Sequence, residues 1–490
     1  MLEVIVFLSG AIVMILELVG SRIIAPSVGT SIYVWTSLIS IILGSLSIGY
    51  WLGGKIADKK PSDKYLAIIL FLASIFVLLI VLIKTTVFSV LQEAIYDLRL
   101  RAIMAVLALF SVPSVLLGMV TPYAVKLKLH TIKYSASTVG NLYAISTIGS
   151  IVGTVAAGFF LFAFIGSTKI LILLSLLLLM ISSLVHFKSL LLGKGFLLIL
   201  IVFLFWRVDQ ISLQYEKNGF IEKDSTYNNI YVFDSKDPLT RQPIRLLQMG
   251  RLMHSGKYVN SEELLFEYTK YYDLAEIFNP KIEKVLMIGG GAYSYPKAFL
   301  LKYPDKNMDV VEIDPELKEI AEKYFELKDD PRLAIYHEDG RVFLNQVDKK
   351  YDAILIDAFG HDYIPFHLAT KEAVEKMYNS LTPHGVVVTN IISSLIGPKS
   401  KVLQSQYKTY ASTFPNIYVF PVYIATDMYE NQNIILIAAK SQHLQLLSDQ
   451  NKDKQKLLSH YLPKYLPDNP TLSILTDDFA PLELYSLTLQ

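Results

Sequence analysis

The chain predicts two fold classes in series: an all-α polytopic membrane bundle of six or seven spans over residues 1–212, and an α/β Rossmann-like domain over 261–490. A small antiparallel β unit at 213–260 is expected between them. Three observations carry this. Apolar runs of membrane-crossing length fill the first two hundred residues, charge is unevenly distributed, and strand-like and helical segments alternate after residue 261. Residues 1–206 hold 14 Lys/Arg against 6 Asp/Glu, leaving 31 against 38 for the rest, so a net charge of +1 conceals a basic first part and an acidic second one. The acidic part argues against a nucleic-acid partner, because phosphate needs a field of opposite sign. Without cysteine, disulfides, thiolate metal sites and Cys nucleophiles are excluded. No metal site is expected.

A helix needs ~20 apolar residues to cross ~30 Å of hydrocarbon. Runs near 3–21, 34–54, 65–83, 102–124, 138–165 and 168–187 meet this. A seventh, Gly195 to Trp206, offers twelve apolar residues between Lys194 and Arg207. It either crosses with help from Leu190–Leu192 and a snorkelling Lys194 or lies in the interface. Trp35, Trp51 and Trp206 fall at span ends, as an aromatic belt requires. The first run lacks a basic start and a small-residue cleavage site, and its retention is expected. Small residues along the second span (Gly44, Ser45, Gly49, Gly53, Gly54) and the fifth (Gly140, Ser146, Gly149, Ser150, Gly153, Gly158) read as close helix packing. Glu17 and Arg22 form a polar pair at membrane depth, either a structural ion pair or the wall of a pocket. The lysine-bearing loops at 55–64, 126–133 and 188–194 share one side and are expected to be cytoplasmic. The short last run favours six crossings, which puts the second domain in the cytoplasm too; seven would put it outside.

Beyond Arg207 the segments Tyr227–Asp234 and Pro243–Met249 read as strands parted by a turn-rich stretch. Strands are then expected at 284–288, 308–313, 333–337, 352–356, 385–391 and 432–438, alternating with helices in a mainly parallel sheet. Ligands of such sheets bind beyond the carboxyl ends of the strands. Gly289, Gly290 and Gly291 follow the first strand and let backbone approach a ligand. Glu312, followed by Ile313, ends the second where an acid can accept from two ribose hydroxyls. Asp339, before Gly340, ends the third and can accept from an adenine amino group. Asp357 ends the fourth, ahead of His361 and Asp362. Helix capping by Asp339 and Asp362 is the competing reading; His254 and His367 are read as structural.

Ser225-Thr-Tyr-Asn-Asn-Ile230, Val285-Leu-Met-Ile-Gly-Gly-Gly291, Val311-Glu-Ile-Asp-Pro315, Glu338-Asp-Gly340 and Leu355-Ile-Asp357 resemble the spermidine synthase (aminopropyltransferase) family over about residues 219–440. With Glu17-Leu-Val-Gly-Ser-Arg-Ile-Ile-Ala-Pro26, Ile364-Pro-Phe-His-Leu368 and Leu475-Thr-Asp-Asp-Phe-Ala-Pro481, the whole chain resembles fused transporter-like/spermidine synthase membrane proteins. The resemblance implies an S-adenosylmethionine-dependent transferase fold. It also implies S-adenosylmethionine or its decarboxylated form as co-substrate, with methylthioadenosine as product. By position, Glu312 would hold the ribose, Asp339 with Gly340 the adenine, Asn228 would stand near the nucleoside, and Asp357 would orient and deprotonate an attacking amine. The chain departs from the family at the acceptor end. The family's Gly-Gly-Gly-Asp becomes Gly291-Ala292, its second acid is replaced by Gly360, and its Tyr-x-Glu becomes Leu265-Phe-Glu267. Putrescine is therefore not the expected acceptor. Tyr293, Tyr295, Tyr363 and Asp478, with catalytic candidates His361 and Asp362, would line a different pocket. Four functions follow from these residues: transfer to a non-standard acceptor, acceptor-free cleavage to methylthioadenosine, methyl transfer, and non-enzymatic nucleoside sensing by a transporter-like protein. The expected partners are the lipid bilayer and a small nucleoside ligand; a homodimer is left open.

Overall fold

A computed structural model of the chain describes residues 1–29, 31–129, 135–217, 219–250, 252–358, 364–423, 427–441, 452–463, 465 and 472–486. The chain divides into two compact units, Met1–Ile230 and Tyr231–Gln490.

The first unit is built from α1 (Leu2–Val28), α2 (Ile32–Lys59), α3 (Asp63–Ala94), α4 (Leu98–Gly118), α5 (Val120–Lys128), α6 (Ser135–Ala156), α7 (Phe162–Phe164), α8 (Ser167–Val185) and α9 (Leu191–Lys217). Seven helical stretches in it are long and apolar enough to cross a bilayer, the last being Leu191–Gln210. This corrects the preference for six. Lys194 does not end the seventh stretch, because its side chain is buried and its ammonium donates to the carbonyls of Ser182 and His186, at 3.0 and 2.9 Å. Both carbonyls lie at the C-terminus of α8, where a cation is favoured, and they accept from the amides of His186 and Ser189 as well.

Small residues set the closest helix approaches. A Cβ on Gly149 would lie 2.0 Å from the Phe7 carbonyl, and one on Gly153 2.4 Å from that of Ala11, so α6 rests backbone to backbone on α1. Gly49 and Gly53 likewise abut Val115 and Met119. Gly44, Gly54, Gly140 and Gly158 meet nothing within 4 Å, so the stripe serves packing at only some of its positions. Tyr123 pins the turn after α2: its hydroxyl donates to the Lys60 carbonyl and accepts from the Ser62 amide.

Glu17 and Arg22 do not pair among the described residues. Five residues set two side chains roughly 140° apart around a helix, outside the i,i+3 and i,i+4 spacings that meet. Arg22 instead donates to the carbonyls of Ser225 (2.8 Å) and Thr226 and stacks over Phe162 at 4.0 Å. Strand β1 (Ile221–Asp224) is held to the same unit by Asp224, which accepts from the Ser167 amide at the start of α8 at 3.0 Å.

With β2 (Asn229–Lys236), β3 (Pro243–Met249) and β4 (Leu252–Tyr258), β1 forms a four-stranded sheet of order β1-β2-β3-β4, and the division between the units falls inside β2. The sequence reading anticipated two of these strands. The second unit then contains α10 (Glu267–Lys270), α11 (Leu274–Phe278), β5 (Lys284–Ile288), α12 (Ser294–Lys302), β6 (Asn307–Val311), α13 (Glu316–Tyr324), β7 (Leu333–Tyr336), α14 (Gly340–Gln346), β8 (Tyr351–Ile356), α15 (Lys371–Ser380), β9 (Leu381–Ser393), α16 (Lys401–Ala411), β10 (Asn416–Pro421), β11 (Gln432–Ala439), α17 (Lys452–Leu458) and α18 (Leu482–Ser486). Its seven-stranded sheet has the order β10-β11-β9-β8-β5-β6-β7. Neighbours from β9 to β7 run parallel, while β11 is antiparallel to both β9 and β10. Val285, Leu286, Met287 and Ile288 of β5 are all buried, as a central parallel strand requires. The order reverses between β5 and β8, so the crevice beyond their carboxyl ends is where an open α/β sheet binds its ligand.

Candidate active site

At that switch point β5 ends in Gly289, Gly290 and Gly291. Gly289 and Gly291 have φ of +95° and +53°, a region that favours glycine. A Cβ at Gly289 would also stand 2.4 Å from the Asp357 carbonyl, so the tips of β5 and β8 touch through backbone alone. Glu312, buried just past β6, organises this loop. One of its carboxylate oxygens accepts from the amides of Gly290 (2.8 Å) and Gly291 (3.2 Å), and the other from Asp314 (3.0 Å). Burial pushes its carboxyl above the usual range, against the downward pull of those amides. A carboxylate has about four lone-pair sites. Three are taken by the amides of Gly290, Gly291 and Asp314, and the Ile313 amide also faces the carboxylate. The neighbouring Ile313 is exposed.

Asp339 is the N-cap of α14, its Oδ1 accepting from the amides of Arg341 (2.8 Å) and Val342 (3.1 Å). Its Oδ2 lies 3.1 Å from His367 Nε2. Capping therefore uses one oxygen of the side chain, and His367 faces the other. Gly340 packs where a Cβ would strike Ile288 at 2.5 Å, which brings the start of α14 onto β5.

Asp357 forms the floor of a pocket walled by β4, by residues 264–269 and by the start of α12. Tyr268 donates to its Oδ2 and Asn390 to its Oδ1, both at 3.3 Å. Asn390 is held in turn by Asn433 at 3.0 Å. Burial raises the Asp357 carboxyl above its ordinary value, while these donors and Tyr272 pull it down. The Tyr272 hydroxyl is buried in the field of this acid without reaching hydrogen-bond geometry. Tyr295 lines the pocket and donates to Asp273 at 3.1 Å, with its ring 5.1 Å from that of Tyr272. Burial holds Tyr268, Tyr272 and Tyr295 well above the usual phenol range, so all three are neutral donors.

The structure thus brings Gly289, Gly290, Gly291, Glu312, Asp339, Gly340, Asp357 and Tyr295 to neighbouring strand tips. Tyr293 is placed differently: it takes left-handed φ of +55°, is fully buried and lies beneath Gly290 rather than in the pocket. Asp478 is exposed and absent from the pocket wall; its neighbour Asp477 turns to Arg341 (2.7 Å) and Thr370 (2.6 Å), which points the next side chain away. Asn228 belongs to the first unit, where its amide donates to Ser225 Oγ at 2.9 Å. His361, Asp362 and Tyr363 lie outside the described residues. Sequence reasoning missed Tyr268, Tyr272 and Asn390; the only signal was the aromatic run Phe266, Tyr268, Tyr271, Tyr272.

An α/β enzyme is defined by this fold and site: glycines at the switch point, a buried acid on the second strand, and an acid on the fourth facing a closed pocket. The spermine/spermidine synthase domain family matches residues 268–449. The polyamine aminopropyltransferase of Vibrio vulnificus is 34% identical over 206 residues, covering 41% of this chain and 67% of its own length. That of Streptococcus pneumoniae is 30% identical over 224 residues, 41% of this chain and 75% of its own. The Streptococcus uberis relative is 35% identical over 156 residues, about half of its length (53%) and 30% of this chain. Among solved structures, a probable spermidine synthase from Corynebacterium glutamicum has a TM-score of 0.42 at 21% identity, covering 50% of this chain and 88% of that one. The chain belongs to the spermidine synthase, or polyamine aminopropyltransferase, family and is a transferase.

Proposed function

We propose that the second unit binds an adenosyl sulfonium, S-adenosylmethionine or its decarboxylated form, and transfers the chain next to sulfur to an acceptor other than putrescine. The observation that carries this is the join at the switch point: Glu312 and the glycine loop at the tips of β5 and β6, with buried Asp357 facing the pocket at the tip of β8. Glu312 takes a ribose hydroxyl in exchange for one of its backbone donors. Asp339 exchanges His367 for the adenine amino group. The acceptor amine attacks the carbon beside the sulfonium, the carbon–sulfur bond breaks with its electron pair to sulfur, and methylthioadenosine leaves. Asp357 takes the proton of the amine, a role that suits a carboxyl raised by burial. Tyr268 and Asn390 fix the direction of its lone pairs. Holding amine and sulfonium in line supplies much of the acceleration, because the sulfonium is itself a good leaving group.

The test is product analysis after incubating the purified full chain with each sulfonium and a panel of amines. Methylthioadenosine together with an enlarged amine is the expected result. Methylthioadenosine alone, S-adenosylhomocysteine, or binding without turnover would replace this reading with cleavage, methyl transfer or sensing, respectively.

The seven apolar helices make this a membrane protein. We place the catalytic unit on the cytoplasmic side of the cell membrane, since adenosyl sulfoniums are made from ATP. Seven crossings put the lysine-rich loops on the opposite face, so loop charge argues the reverse. The chain has no cysteine, and Leu239 is 93% exposed. Leu239→Cys should react with a membrane-impermeant maleimide only in permeabilised cells; labelling in intact cells would move the unit outside.

A further inference from the structure

We infer that the acceptor of this transferase carries a single ammonium on an apolar body: a monoamine, not a diamine. This rests on the reading that the switch-point crevice holds an adenosyl ligand. Among the described residues, Asp357 is the only carboxylate lining the pocket. One acid pairs one cation. Among the described residues the rest of the wall carries no second anion: Leu264, Leu265 and Met287 are apolar, and Ser255, Thr269 and Ser294 offer only neutral hydroxyls.

The aromatic side chains fit the same occupant. Phe266 and Tyr268 are stacked with centroids 6.1 Å apart, and Tyr268 sets its hydroxyl on Asp357. An ammonium reaching the acid passes along ring faces, which attract a cation without needing a further charge. At Ala292, only 1% exposed, a methyl group stands after the glycine turn; its amide donates to Ser255 at 3.1 Å. The far end of a diamine would be desolvated against leucine side chains with no carboxylate among the described residues to pair with. An alkyl end of equal length would instead add buried apolar area.

The discriminating pair is n-pentylamine and 1,4-diaminobutane, equal in length and differing by a methyl for an ammonium. They would be titrated by calorimetry into the purified full chain saturated with methylthioadenosine. Pentylamine should bind at least about tenfold more tightly, the factor that corresponds to one unpaired buried polar group. Equal or reversed affinities, or no binding of either amine, overturn the inference. Leu265→Glu, at a half-buried position of the wall, should raise the diamine-to-monoamine affinity ratio by about tenfold. An unchanged ratio in a variant that still binds methylthioadenosine also overturns it. Failure of methylthioadenosine itself to bind the native chain is a separate result, and sinks the adenosyl reading instead.

Discussion

Removing the Glu312 carboxylate tests the nucleoside end of the site most directly. Its carboxylate accepts from the amides of Gly290, Gly291 and Asp314, with that of Ile313 beside them, and the proposed ribose hydroxyl would exchange for one of these donors. Losing a charge-assisted hydrogen bond to a ribose hydroxyl costs about 1.5–3 kcal/mol. Glu312→Ala should therefore weaken methylthioadenosine binding roughly 10- to 150-fold. Glu312→Gln keeps one acceptor oxygen but turns an amide NH2 toward a backbone N–H on one side, so it should fall between the two. Calorimetry on the purified chain reads both. Affinity unchanged in the alanine variant would refute the assigned role. A second readout is independent of ligand. The Glu312 carboxyl is raised by burial, so between its ordinary and its folded value the native state binds more protons than the unfolded chain. Its stabilising contribution is full below the ordinary glutamate range and is lost as pH rises through the folded value. The stability of the native chain relative to Glu312→Gln should accordingly decline with rising pH across that window; a difference that grows would refute the burial argument.

Asp357→Asn should leave methylthioadenosine affinity unchanged while lowering turnover by about 100-fold or more, the scale of a lost general base; preserved turnover would remove Asp357 from the chemistry. Because burial raises this carboxyl, activity should fall with decreasing pH through a value above the ordinary aspartate range. Tyr268→Phe removes a donor that lowers it, and should move that limb upward by up to about one pH unit; a limb that moves down or stays put would count against Tyr268. In the membrane unit, Gly149→Leu places a side chain against the Phe7 carbonyl and should cost about 1–3 kcal/mol of stability in detergent, whereas Gly44→Leu meets nothing within 4 Å and should be neutral. Equal effects of the two would discount close packing of α6 on α1.

The sequence shows the glycines and acids at the strand tips and hides the surroundings of Asp357 for one physical reason. Gly289, Gly291, Glu312 and Asp357 act at strand tips, where a buried apolar run stops at a glycine or an acid, and the backbone itself makes most of the site. That pattern is local and can be read in a line of text. The pocket around Asp357 is lined by Tyr268 and Tyr295 and braced by Asn390, which come from different segments and converge only when β8, β9, α12 and the residues before β5 are packed. Tyr268 in particular follows Glu267, yet Glu267 pairs with Lys270 and Lys456 while the tyrosine reaches Asp357. Strand β10 was missed on similar grounds: Tyr418, Val419 and Phe420 are consecutive and all buried, so the edge strand lacks the alternation that marks a half-exposed one. Glu17 and Arg22 failed as a pair because their spacing looks close in sequence but turns them to different faces of α1. Where side chains converge from distant segments, as Tyr268 and Asn390 do on Asp357, the arrangement is set by packing and no short stretch of sequence displays it.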